Sequence, residues 1–177
     1  MKSTTVLDRT CLNYWFPKIK AAGLPVPATT IIRHHGDDLI RLLDGETPSG
    51  FEQLLARVRK AAKKYAYPCF LRTGHTSGKH EWTRTCFVPD EESIPAHIVA
   101  LVEHSYVVDL FGLPTNIWVV REFLPPTALR YIAYRGMPVR REFRFFVDGG
   151  DVKCWHPYWP KDALRRGGLS LPAEVYD

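Results

Sequence analysis

The sequence predicts an α+β fold: a largely antiparallel sheet with flanking helices. Three observations carry this. Short runs rich in β-branched and aromatic residues alternate with two stretches of helical periodicity. The element order reads strand–helix–strand–strand–helix–strand–hairpin, not the strict alternation of a parallel sheet. Gly149-Gly150 lies between two alternating strands and is a two-residue loop able to take the positive φ of a primed hairpin turn.

At 177 residues the chain has room for one large domain or two small lobes. Hydrophobic residues at 45% and charged residues at 24% allow a core, and five Trp, eight Tyr and nine Phe argue against disorder. A net charge of +5 favours anionic partners: nucleotide phosphates, nucleic acid or acidic protein surfaces. Cys11, Cys69, Cys86 and Cys154 are widely spaced with no CxxC, which speaks against a zinc finger. Cys69, Cys86 and Cys154 fall in apolar strand-like runs and read as small core residues of a reducing compartment. MKSTTVLDRTC has no apolar signal core and no run reaches membrane-spanning length, so the expected location is cytoplasmic, with no membrane partner.

Residues Met1–Asp8 read as a tail. Cys11–Ala22 is a short helix or irregular segment that Pro17 bends or starts. Gly23–Pro27 is a breaker cluster, Thr29–Arg33 a strand, Asp37–Leu43 a short helix and Asp44–Gly50 a polar loop. Phe51–Tyr65 is the strongest helix, capped by Ser49 or Gly50, with Phe51, Leu54, Leu55, Val58, Ala62 and Tyr65 on one face. Arg57, Arg59, Lys60, Lys63 and Lys64 crowd its second half. They suit the helix dipole and a solvated face, with a nucleic-acid stripe as the sharper alternative. Tyr67–Thr73 and Thr85–Val88 are strands. Ser93–Tyr106 is a helix with Pro95 in its first turn and Ile94, Ile98, Leu101, Val102 and Ser105 inward. Asn116–Leu124 is an apolar strand with two charges inside it, Arg121 and Glu122, that either reach an edge or do specific work. Thr127–Tyr134 is a short helix or strand. The hairpin of Arg141–Asp148 and Asp151–His156 follows, and Lys161–Asp177 reads as a polar tail.

Between the strands at Tyr67–Thr73 and Thr85–Val88 lies GHTSGKH. Glycines let backbone amides converge on an anion, hydroxyls add donors and Lys79 adds charge. His80, where a P-loop needs Ser or Thr, rules out that motif. A loop lying over phosphates is one reading, an ordinary turn the other. His75, His80 and His97 match no metal-ligand spacing, and Ser77 lacks the elbow and orienting group of a hydrolase nucleophile.

In the hairpin, pairing Val147 with Val152 places Arg144 opposite Trp155. One mixed face then carries Glu142, Arg144, Phe146, Lys153 and Trp155. Arginine beside tryptophan suits a flat anionic ligand, and an edge hairpin with a snorkelling arginine is the plainer alternative.

Arg72 entering a Gly-rich loop with Lys79, then VVREFL at Val119–Leu124, then Glu142-Phe143-Arg144 before an aromatic strand, resemble in that order the ATP-grasp fold. They are most similar to the small ATP-grasp proteins of phages and bacteria in which arginines supplement the usual lysines, and distantly to the cell division cycle 123 proteins. The resemblance covers roughly Tyr14–Pro160. It implies two lobes with mostly antiparallel sheets: a pre-grasp segment at 1–50, a small lobe with its flap at 51–118, and a hinge and second lobe from 119 to 177. It implies ATP as cofactor, with magnesium. Arg72 would touch the phosphates, and Gly74, Ser77, Gly78 and Lys79 would form the flap. Glu122, Phe123 and Leu124 would meet adenine and ribose at the hinge. Arg144 would face the triphosphate, and Arg144 with Lys79 would carry the catalytic charge. Reactions in the family run in two steps, a carboxylate being phosphorylated and an amine or other nucleophile then displacing phosphate.

The chain departs from that pattern after the hairpin, where the family's magnesium ligands lie. No metal ligands are assigned, and Glu174 and Asp177 do not substitute for them. The expectation is therefore an ATP-grasp-like fold incomplete at its C-terminus, with an open sheet for a protein partner to complete. The leading function is an ATP-dependent carboxylate–amine ligase or a truncated relative. A non-catalytic nucleotide-binding or protein-interaction module is the alternative. A nucleic-acid-binding protein ranks last, since no such fingerprint is found.

Overall fold

The structure, a computed structural model, describes residues 8–124, 137–140, 142–166 and 168. The expected element at Thr127–Tyr134, and most of the segments read as N- and C-terminal tails, lie outside them. The chain divides into two compact units, Met1–Leu124 and Pro125–Asp177.

The first unit is built on one antiparallel sheet. Its strands are β1 (Thr29–Arg33), β2 (Cys69–Thr73), β3 (Phe87–Val88) and β4 (Ile117–Glu122), in the order β1-β4-β2-β3. The run IWVV opens β4 because this strand is interior and its first four residues are buried on both faces. Alternation then sorts the sheet into two faces. Ile32, Cys69, Leu71, Val88, Trp118 and Val120 share the main core with α2 (Phe51–Tyr65) and α3 (Ile94–Val107). Ile117 and Val119 point the other way, into a second cluster with Cys11, Leu12 and Phe16 of the α1 region (α1, Leu12–Ala21).

The helices follow their apolar periodicity. In α2 the buried residues are Phe51, Leu54, Leu55, Val58, Ala61 and Ala62, and Gly50 is its N-cap. Its basic half is partly engaged within the chain. Arg57 donates to Arg33 O at 2.7 Å, and Lys63 pairs with Glu91 at 3.0 Å. That is the arrangement of a surface helix. In α3 all five predicted inward residues are buried, together with His97. α1 begins at Leu12, so Pro17 lies inside it and does not start it. Leu39–Asp44 forms a 3₁₀ helix where a short helix was expected.

The division expected at 50/51 and 118/119 is crossed by this sheet. β1, from the segment assigned as pre-grasp, pairs along its whole length with β4, and residue 119 lies in the middle of β4. The unit boundary falls between Leu124 and Pro125, where Pro125-Pro126 interrupts the chain.

The second unit contains an antiparallel hairpin of β5 (Phe143–Asp148) and β6 (Asp151–Pro157), then α4 (Lys161–Arg166) where a polar tail was expected. Gly149 and Gly150 both have positive φ, 59° and 89°, the turn their sequence requires. Val147 pairs with Val152 as expected. The register then shifts, with Phe146 opposite Cys154, so Lys153 is an extra residue in a β-bulge. The expected mixed face is corrected accordingly. Arg144 stands opposite His156, and Trp155 opposite Phe145. Trp155 joins the apolar face and packs edge-on to Phe143 and stacked on Phe145. Cys154, read as a core thiol, is exposed. No helix among the described residues is long and apolar enough to cross a membrane.

Candidate anion-binding face of the four-stranded sheet

Strand alternation places Phe70 and Arg72 of β2 on the face opposite the main core, along with Val119 and Arg121 of β4. Phe70 pairs with Arg121 and Arg72 with Val119, so the two arginines are diagonal neighbours on adjacent strands. Diagonal positions lie ~7–8 Å apart, within reach of long side chains. On one side stands α1, whose Phe16 ring is 5.3 Å from the Arg121 guanidinium carbon. On the other is an aromatic group. Trp82 lies 5.9 Å from Phe70, 5.6 Å from Phe87 in a stacked pair, and 6.1 Å from Phe123.

The electrostatics of this face are unusual. Both arginines are partly buried, yet among the described residues no carboxylate comes within ion-pair distance of either. Arg72 donates through Nε to Thr73 O at 2.9 Å. The Nε of Arg121 is buried with no hydrogen-bond partner among the described residues. Burial, and then the like charge of Arg121, push Arg72 down to about 10. Burial alone lowers Arg121. Both remain charged at neutral pH. A partly buried cation without a counter-ion is costly in a folded protein, so two side by side call for an anion.

The loop after β2 differs from an anion-cradling flap. The amide of Gly74 donates to Ile117 O at 2.7 Å, and those of His75 and Thr76 to Thr73 Oγ1 at 3.3 and 3.0 Å. The amide of Gly78 donates to Thr76 Oγ1 at 3.3 Å. These four donors are already occupied within the protein. Gly74 has a packing role: a Cβ there would stand 2.6 Å from Cys11 Sγ and 3.0 Å from the Ile117 Cβ, between α1 and the sheet. Ser77 is half-buried in the same loop. Lys79 opens the 3₁₀ turn Lys79–Glu81. Burial pushes the Cys86 thiol up to about 12.

Of the three hinge residues, Phe123 belongs to the aromatic group. Glu122 is engaged with the chain before β1: its Oε1 accepts from the Ala28 amide at 2.7 Å. Leu124 is 49% exposed at the end of the first unit. Arg144 belongs to the second unit, with its guanidinium 4.5 Å from the centre of the Tyr158 ring.

The sheet face thus gathers Arg72 and Phe123. Gly74, Gly78 and Glu122 serve internal bonds. Sequence reasoning left Arg121 out of the site, although a charge inside an apolar strand was its signal. Among the described residues no three His, Cys, Asp or Glu side chains gather as a metal centre would need. His75 is held by Asp8 at 3.3 Å and Thr10 at 3.4 Å, and His97 Nδ1 donates to Thr85 O at 2.8 Å. Comparison with family models and with curated proteins finds no match.

Proposed function

We propose that the protein binds ATP on the outer face of the first unit's sheet, in the manner of an ATP-grasp protein, and acts as an ATP-dependent carboxylate–amine ligase. One observation carries this reading. Arg72, a partly buried strand cation without a carboxylate partner among the described residues, stands on the same face as the aromatic group of Phe70, Trp82, Phe87 and Phe123. A guanidinium fork suits phosphate oxygens, and an aromatic surface suits a base. The residues therefore fit a nucleotide. The donor on offer is the guanidinium of Arg72, not the flap amides. ATP would supply the activated phosphoryl group. The chain's part is to neutralise its charge and hold it away from water. No magnesium site is assembled from the described residues, so no step is assigned to the metal.

A second reading, a non-catalytic nucleotide-binding or protein-interaction module, is favoured by the hairpin. Phe145, Val147 and Val152 are 60%, 61% and 55% exposed on one face of a two-stranded sheet. Apolar side chains so placed suit a partner protein.

The test is a thermal-shift series with ATP and ADP, with and without magnesium, followed by an assay of ADP formation with mixed carboxylate and amine acceptors. Stabilisation with turnover supports the ligase, and stabilisation without turnover supports the module. No stabilisation by either nucleotide removes the ligase and the nucleotide-binding module and leaves the protein-interaction reading of the hairpin face.

A further inference from the structure

We propose that Arg121 is a second anion ligand, and that with Arg72 it forms a two-guanidinium site for a phosphoryl oxyanion. The site lies between α1 and the aromatic group. The inference rests on the nucleotide reading only for the source of the phosphate; the anion site stands on its own geometry.

Four observations converge. The β2–β4 register places the two guanidinium stems on one sheet face, diagonal to each other. Arg121 Nε is a buried donor without an acceptor among the described residues, one of five such side-chain atoms there and the one beside a second guanidinium on this face, and such a donor calls for a ligand, an ion or a water. The Phe16 ring lies 5.3 Å from the Arg121 guanidinium carbon, so α1 borders this guanidinium. Among the described residues Arg72 bonds the protein through Nε, to Thr73 O, which leaves its two Nη groups to form a fork. The Arg121 position lies in an otherwise apolar strand, where Leu or Val would satisfy the fold. Two forks offer four N–H donors and two positive charges, which a phosphoryl oxyanion, with three oxygens and up to two negative charges, matches better in charge than a singly charged carboxylate does. Free polyphosphate and the phosphates of a nucleotide share this chemistry.

The test uses the full chain in chloride buffer at constant ionic strength. Tripolyphosphate, sulfate and ATP are titrated by calorimetry against wild type, Arg121→Gln, Arg121→Lys and the surface control Lys60→Gln. Wild type and the control should bind tripolyphosphate alike. Arg121→Gln should weaken it about tenfold or more, the effect of one charged hydrogen-bonded contact. Arg121→Lys, which keeps the charge and loses the fork, should fall between. Unliganded Arg121→Gln should melt no lower than wild type, since it removes a like-charge neighbour. Unchanged affinity in Arg121→Gln overturns the proposal, as does equal weakening in Lys60→Gln. If Arg121→Gln does not fold, unchanged affinity in Arg121→Lys overturns it and weakened affinity supports it. Wild type that binds ATP but not tripolyphosphate, with Arg121→Gln indifferent to ATP, overturns this site and leaves the nucleotide reading standing. Tripolyphosphate bound without ATP does the reverse.

Discussion

Replacing Arg72 by Met should stabilise the unliganded protein while removing its response to nucleotide. Arg72 is pushed from the ordinary guanidinium value down to about 10 by burial and by Arg121. At ~1.4 kcal/mol per unit, that depression corresponds to about 3 kcal/mol against the charged form. Solvent reaches part of the side chain, so about 2 kcal/mol is the working figure. The substitution also loses the Nε bond to Thr73 O, a loss of ~1 kcal/mol. The net gain is about 1 kcal/mol, or ~2–4 °C in Tm for a chain of this size. The sign in pH is fixed by the direction of the shift. A cation whose folded pKa is depressed contributes its penalty at every pH below about 10, so the gain should be flat from pH 6 to 9. The assay is scanning calorimetry in phosphate-free chloride buffer, with urea unfolding as a second measure. A fall in Tm of more than ~4 °C would refute the reasoning, because it would show Arg72 to be a structural residue already satisfied by the protein.

Gly74→Ala should destabilise by ~1–3 kcal/mol in urea, since its Cβ would meet Cys11 Sγ at 2.6 Å and displace α1 from the sheet. An unchanged midpoint would show that α1 yields without loss. Leu101→Ala, at a fully buried position of the main core, should lose ~2–5 kcal/mol by the same measure. His97 is buried and donates to Thr85 O, and burial lowers its pKa. Its contribution to stability is full above the unfolded value of 6.5 and is lost as pH falls toward the folded pKa. His97→Gln should therefore flatten the decline in Tm between pH 7 and 5, and an unaltered decline would assign it to other groups.

Helices and strands were legible where burial imposes a period. The apolar spacing of Phe51–Tyr65 and the β-branched run Thr29–Arg33 define α2 and β1, because each faces a core along its length. The hairpin turn was legible from Gly149-Gly150, but the bulge was not. A turn sets register only for the pairs next to it, and the extra residue at Lys153 depends on how Phe143, Phe145 and Trp155 pack. That single residue moved Arg144 from Trp155 to His156. The sheet crosses the expected domain limits because β4 is late in sequence but interior in the sheet, and no local signal gives strand order. Arg72 was legible as a strand cation leading into a loop. Its neighbour was not, since the adjacency of Arg72 and Arg121 exists only through the β2–β4 register. The glycines of the flap looked like amide donors, but Ile117 O accepts from Gly74 and Thr76 Oγ1 from Gly78, while Thr73 Oγ1 takes the amides of His75 and Thr76.

The most direct test of the central claim is calorimetric titration of ATP into wild type and Arg72→Met under identical salt. Saturable binding by wild type, weakened about tenfold or more in Arg72→Met, is the predicted result for a phosphate-bonded guanidinium. Equal affinity in the two proteins, or no binding by wild type at millimolar ATP, would contradict it.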